Sequence, residues 1–426
     1  MPGIIEFPTI VQQAAQQFGA IFANEPERRH FAEYLTGLLV AAKKNVSGIN
    51  AEFSETTDQS CLNRWITEVV WDEVELNLKR LEWLQQDPQT RYSADGVIPI
   101  DNTLVDHDGK LIEDVGYFWD HAEERYKIAH DYLIANYVCR SGKHYALEFR
   151  RFRKQADCDA KRAELDARAG GFDAASPKEQ RLATFKNHTA LCGELIDWVV
   201  EQQIPGTFAF DSYFTNAPVC NRIDAHSRAY VGDLKFNRKV IFRGREMRVD
   251  AMAAEIPLAS RKKVTVDGRT QWYFTKTIRM PEVKHAVRVA ILWPHWNSTE
   301  PKKILATNQT LWEITRVLRG YGQRWTGTET LHRDGKQHLG LGDCQLRSGE
   351  GQTRHVYLVL LAHSLLMAQL RQGRVSAWAN ETLTTIGEAC RAVLRETLSQ
   401  TIRWAIERVT LDAWEPARIV AHLNLA

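Results

Sequence analysis

The chain is expected to be an α+β protein of several domains, with a mixed α/β core between two helical ends and a β-rich insertion inside that core. Three observations predict this. Apolar residues recur at helical spacing up to about residue 90, and again after residue 309. Between residues 96 and 214, two apolar runs stop abruptly at an acid. From 230 to 308 the apolar runs become short and strand-like. The expected boundaries are a helical region 1–90, the first part of the core 91–228, the insertion 229–308, the last part of the core 309–370 and a helical region 371–426.

Bulk composition excludes little. At 426 residues, with 44% apolar and 25% charged residues, the chain is ordinary for a globular protein with a sizeable core. A formal charge of +2 does not mark a nucleic-acid binder, so any electrostatic reading must rest on local clusters. The seven cysteines form no CxxC pair and suit neither a zinc knuckle nor a disulfide framework, which fits a reducing compartment. The opening residues, with Glu6 and runs of Gln, do not match a secretory signal. The longest apolar run, Val356 to Met367, is interrupted by His363 and too short to span a bilayer. A soluble, cytoplasmic protein is expected.

In the first region, Phe31, Leu35, Leu38, Leu39 and Ala42 mark a helix over 28–44, and Ile49 marks a second over 46–53. A turn at 54–57 precedes a third helix, with a capping-box pattern from Thr56 to Gln59 and Leu62, Trp65, Ile66 and Val69 on one face. Two short helices across a four-residue turn suit a helix-turn-helix, with Lys43 and Lys44 reaching phosphate. An ordinary helical hairpin fits these residues equally well. A further helix over 71–84 and a polar linker over 85–96 complete the region.

The core begins at Gly96-Val-Ile-Pro-Ile-Asp101-Asn-Thr103, where a strand-like run ends in an acid able to hold a cation. Pro99 argues against a fully paired central strand, and Asp106 and Asp108 compete with Asp101 for any role. Residues 127–138 and 145–152 follow as further elements on which the sheet could be continued, the first with helical character as an alternative. After a charged stretch at 156–175, one long helix is expected over 178–203, leading into Gly206-Thr-Phe-Ala-Phe-Asp211-Ser-Tyr213. Two acids on separate strand ends suit a metal site on an open sheet, although Asp211 alone reads equally as a turn acid.

Strands are expected near 240–242, 272–278, 287–293 and 304–307. Nine Lys or Arg face four acids between 233 and 263, a pattern that fits either phosphate tracking or a solvated sheet face. Glu282 and His285 form an ExxH string whose spacing a strand does not bring to one side. A helix starting near 311 leads into the densest chemistry of the chain, Tyr321-Gly-Gln-Arg324-Trp325-Thr-Gly327-Thr-Glu329-Thr-Leu-His332-Arg-Asp-Gly-Lys336. One acid among cations and aromatics there can serve a metal and a phosphate together, or be a charged helix surface. A glycine-rich loop at 349–351, a buried helix over 356–369 and an amphipathic helix over 382–409 close the chain.

In this order, Asp101-Asn-Thr103, Asp211-Ser-Tyr213, a β-rich insertion and then Tyr321, Arg324, Glu329 and Lys336 resemble bacterial cut-and-paste insertion-sequence transposases. These carry an Asp-Asp-Glu site on a ribonuclease-H-like fold and a Tyr-Arg-Glu-Lys signature. The Tyr-to-Arg and Glu-to-Lys spacings match. Arg324 to Glu329 is one residue longer than the pattern, and Asn102 stands where a second Asp often occurs. An ideal helix at about 100° per residue would spread the four signature residues over about 140°, so a bulge at Gly327 is expected to absorb the surplus.

The resemblance implies a helical DNA-binding region and a ribonuclease-H-like catalytic core. It also implies Asp101, Asp211 and Glu329 as catalytic ligands of two Mg²⁺ ions, with Mn²⁺ as a substitute. Tyr321, Arg324, Lys336 and His332 would contact DNA phosphate, and Trp325 would stack on a base. The implied partners are double-stranded DNA, as terminal inverted repeats and target, and a second copy in a homodimer at the nucleoid. The alternative is a sequence-specific DNA-binding protein without nuclease activity. A small-molecule metal enzyme using Glu329 and His332 would need a second helical ExxH.

Overall fold

A computed structural model describes residues 3–120, 123–370 and 378–424. The chain divides into two compact units, one of residues 1–91, 104–131 and 331–426, the other of residues 92–103 and 132–330. The last helices thus cluster with the first ones, and two strands run from one unit into the other. Among the described residues no helix is long and apolar enough to cross a membrane.

The first unit is mainly helical. Its core gathers Phe22, Phe31, Tyr34, Trp65 and Trp71, with the Trp65 and Trp71 rings stacked at 5.5 Å. The helices Val46–Asn50 and Gln59–Thr67 occupy the expected helix-turn-helix segment, separated by residues 51–58. Asp58, not Thr56, caps the second helix, and the Thr56 hydroxyl instead donates to Glu33 at 3.2 Å. Lys44 is not available to phosphate: it is buried, and its ammonium donates to the Ala41 carbonyl at 2.9 Å. The expected glycine loop at 349–351 is the first turn of the helix Gly349–Gln369, capped by Ser348. The amphipathic helix Ile386–Asp412 carries a capping box of Thr385 and Glu388.

The second unit is built on a mixed sheet. The strands along the chain are β1 (Val97–Asp106), β2 (Gly116–Asp120), β3 (Arg125–Val138), β4 (His144–Phe152), β5 (Thr207–Phe210) and β6 (Tyr230–Asp233). They continue as β7 (Lys239–Phe242), β8 (Arg245–Arg248), β9 (Lys262–Val266), β10 (Arg269–Ile278), β11 (Val287–Trp293) and β12 (Lys303–Thr307). Across the sheet the order is β2, β3, β1, β5, β6, β12, β11, β10, β9, with β4 also paired to β3, while β7 and β8 form a separate hairpin. β1 and β5 are parallel, as are β5 and β6. The antiparallel strands β12 to β9 extend that sheet beyond β6. A large mixed sheet with helices, carrying parallel strands at its centre, is consistent with a ribonuclease-H-like domain.

Two local expectations give way, and the helical alternative left open for 127–138 falls. Residues 125–138 are wholly strand: apart from a partly exposed start, the run is buried residue after residue, as a central strand covered on both faces must be. The helix expected over 178–203 is two, Pro177–Leu182 and His188–Glu201, because Asn187 caps the second by accepting from Ala190 N–H at 2.9 Å. Pro99 does lie in a central strand, paired in register with Ala209 of β5. Gly206, at φ +136°, makes that pairing possible. A Cβ there would lie 2.8 Å from the Gly96 carbonyl oxygen, which accepts from Thr207 N–H to start the β1–β5 ladder.

The helix Ile314–Trp325 gives way to a π-helical segment, Thr326–Thr330, before α-helix resumes at Leu331. The surplus residue between Arg324 and Glu329 falls in that segment, where the wider turn accommodates it. Gly327 lies against the sheet: a Cβ there would come within 2.6 Å of both Pro99 Cγ and Val138 Cγ2. Gly327→Ala is therefore expected to cost about 1–3 kcal/mol of stability through overpacking. Urea unfolding of the variant beside the parent measures it, and an unchanged midpoint would contradict the packing argument.

Candidate active site

The parallel strands bring acids to neighbouring positions. Asp101 lies in β1 just past the stretch paired with β5, and Asp211 directly follows the last residue of β5. Apolar residues run up to each because those strand segments are buried; Asp211 follows the end of its strand, whereas β1 continues past Asp101 to Asp106, so Asp101 lies within its strand and not at the expected end. Asp211 is fixed by its own turn: its carboxylate accepts from the N–H groups of Tyr213 at 2.9 Å and Phe214 at 3.1 Å.

The π-helical segment and the helix before it supply the rest. Arg324 Nη1 donates to Asp101 Oδ2 at 2.8 Å, with both side chains largely buried. Glu329 is exposed on the π-helical segment, and Thr328 beside it is buried, its hydroxyl donating to the Arg324 carbonyl at 3.0 Å. Burial first, then the charge of Asp211, push the Asp101 carboxyl up to about 7. Arg324 and the Asn102 N–H pull against that shift, and Glu329 adds to it. The structure thus gathers Asp101, Asp211, Arg324 and Glu329 into one electrostatic cluster within the second unit.

Tyr321 sits one helical turn before Arg324, with the guanidinium 5.6 Å from its ring centre. Its hydroxyl accepts from Lys303 Nζ at 2.9 Å and donates to Asp233 Oδ2 at 3.5 Å. Lys303 also pairs with Asp233 at 3.1 Å. Although burial would lower it, the Tyr321 hydroxyl and Asp233 hold the Lys303 ammonium above its ordinary range. Asp233 and Lys303 were passed over in the sequence. The signal for Asp233 was the run Tyr230-Val-Gly-Asp233, a third apolar stretch ending in an acid, which β6 aligns beside β5. Lys303 carries no such signal.

Trp325 is 62% exposed. Lys336 and His332 lie on the helix Leu331–His338 of the first unit, Lys336 exposed and His332 buried. Burial, with the nearby Lys336 charge, pushes the His332 imidazole down to about 3, making it a neutral interior ring rather than a phosphate contact. The basic segment 233–263 is not a bare stripe either. Lys239 pairs with Glu246, Arg245 with Glu255 and Arg248 with Asp250, while buried Arg261 stacks 3.9 Å over Trp293.

Oxygen ligands from Asp101, Asp211 and Glu329 suit a hard divalent cation. The fit shows in Asp101 itself, whose carboxyl is pushed up to about 7 by burial first and then by the charges of Asp211 and Glu329. In the unfolded chain the same group titrates near about 3.9. Between those values the folded chain holds a proton that the unfolded chain has released, so this group's contribution to stability declines as pH rises from about 4 to about 7. Asp101→Asn is expected to remove that decline, making the variant more stable relative to the parent at pH 8 than at pH 5. Denaturant unfolding of both proteins at the two pH values, without divalent cation, measures it. Equal pH dependence would show that Asp101 is not the group responsible.

No curated protein matches the chain. A family profile described as DDE superfamily endonuclease matches residues 17–270, a segment that holds Asp101 and Asp211 and stops short of Glu329. With more than half of its length matched, and two acids of the matched segment drawn into one cluster, the chain belongs to the DDE superfamily endonuclease family.

Proposed function

We propose that the protein is a DNA transposase, which cleaves the ends of an insertion sequence and joins them to target DNA with Asp101, Asp211 and Glu329 as its catalytic carboxylates. The observation that carries this reading is the convergence on Asp101 of Asp211, Glu329 and Arg324, from positions more than a hundred residues apart in sequence. Three carboxylates in one partly buried cluster are unfavourable without a counter-charge, and Arg324 supplies only one. The family typically uses divalent metal ions. Mg²⁺ ions held by the three acids, or Mn²⁺ in their place, would activate water or a DNA 3′-hydroxyl and stabilise the leaving oxygen.

The other residues divide the work of positioning. Asp101 holds one end of the Arg324 guanidinium, which fixes the orientation in which Arg324 would meet a phosphate. The Asp233–Lys303 pair holds the Tyr321 hydroxyl, so that Tyr321 and Arg324 face DNA as one unit. Lys336 is the further phosphate contact and Trp325 the base-stacking one. The helical amino-terminal region would grip duplex DNA at the terminal repeats, and two copies would pair the two ends.

Asp101→Ala, Asp211→Ala and Glu329→Ala are each expected to lower Mg²⁺-dependent cleavage of a labelled element end by at least about 10³-fold, while DNA binding in EDTA stays within about threefold of the parent. Gel-based nicking and electrophoretic mobility assays read the two quantities. Full cleavage by any one variant would remove that residue from the triad. Parent protein that binds ends but never nicks would favour a DNA-binding protein without nuclease activity.

A further inference from the structure

Beside the carboxylate cluster, within the second unit, lies a cleft of about 860 Å³ between the helix Ile314–Trp325 and the strands β9 to β12. Its chemistry is divided. Pro294 and Leu318 contribute apolar lining, while Arg269, Lys302 and Arg319 are exposed cations along it. Arg319 has a weak partner in Asp267 at 3.9 Å. Among the described residues, no carboxylate pairs with Arg269 or Lys302. Arg324 and Trp325 also line the cleft, and Arg324 is the residue bonded to Asp101. The cleft therefore meets the carboxylate cluster at Arg324, with the exposed Trp325 indole among its lining side chains.

We propose that this cleft binds a short single-stranded stretch of DNA that leads into the carboxylate cluster, an inference that rests on the endonuclease reading of that cluster. Cations set along an apolar trough match a single strand: phosphates take the charges, and unstacked bases take the apolar lining and the indole face. Duplex DNA presents mainly phosphate and sugar to a surface and would leave the apolar lining unused. The cations and aromatics come from three separate pieces of chain, the β9–β10 hairpin, the segment before β12 and the helix Ile314–Trp325. Their convergence on one trough is thus a product of the fold.

The test uses the full chain in EDTA, with a short labelled single-stranded oligonucleotide and a labelled blunt duplex, followed by fluorescence anisotropy across a salt series. In the triple variant Arg269→Gln, Lys302→Gln, Arg319→Gln, single-strand affinity is expected to fall by at least about tenfold at low salt. The slope of log affinity against log salt should become shallower by about 2, at about 0.7 per contact. Trp325→Ala, a change at an exposed site that leaves the fold intact, is expected to lose about fivefold or more with the slope unchanged. Duplex affinity should stay within about twofold in both variants. Unchanged single-strand affinity, or an equal loss for duplex, would overturn the proposal. Adding Mg²⁺ to the parent separates the two readings. Nicking by a parent whose triple variant binds single strands normally removes the cleft alone, whereas cleft-dependent binding without nicking removes the active-site reading alone.

Discussion

The contact of Gly327 with Pro99 and Val138 is the constraint on which the arrangement of the site rests. A helix normally stands off a sheet by the thickness of its side chains. Here one position carries no side chain, and the chain turns as a π-helix at that point, so backbone meets strand side chains directly. Arg324 lies just before this contact and Glu329 just after it. Both are thereby drawn to the strand that carries Asp101, and the longer spacing between them is what the wider turn requires. The shorter spacing of the transposase signature would belong to a differently wound segment.

Electrostatics explains why such close seating is needed. Asp101 is largely buried, and every nearby carboxylate raises the cost of its charge. Arg324 offsets part of that cost only because the helix holds it within hydrogen-bonding distance. The balance holds the Asp101 carboxyl well above the usual carboxylate range. One turn back, Asp233, Lys303 and Tyr321 form a second charged group whose members satisfy one another. That group ties the helix to β6 and β12, so both ends of the Tyr321–Arg324 turn are anchored to the sheet.

The cations of the insertion show how far composition can mislead. Between 233 and 263 they outnumber the acids, yet several are paired locally across the β7–β8 hairpin or onto the following helix, and Arg261 is spent on an indole and two carbonyls. The cations that line a trough beside the site, Arg269, Lys302 and Arg319, come from outside that window. A local excess of charge measures what a segment contains, whereas exposure and pairing decide what it offers to a ligand.

From the sequence alone, the apolar runs ending at Asp101 and Asp211 were legible, as were most strands of the insertion and the anomaly at Gly327. These are local patterns: a run of apolar residues reports burial, and a spacing reports winding. Tertiary structure decided the rest. Pro99 reads as an edge residue, yet it lies in a central strand, because one missing N–H costs little where β3 and β5 already flank β1. Residues 127–138 left helical character open beside the sheet reading because burial on both faces erases the period of a strand, and 178–203 was misread because a single Asn cap restarts a helix without interrupting its apolar stripe. Lys44 looked like a surface cation and is an interior group, and His332, which read equally as a phosphate contact or a core residue, is buried, since charge type says nothing of which way a side chain points. Asp233 and Lys303 acquired a place beside the site only when β6 and β12 came together, a pairing between residues 70 apart that no local pattern encodes.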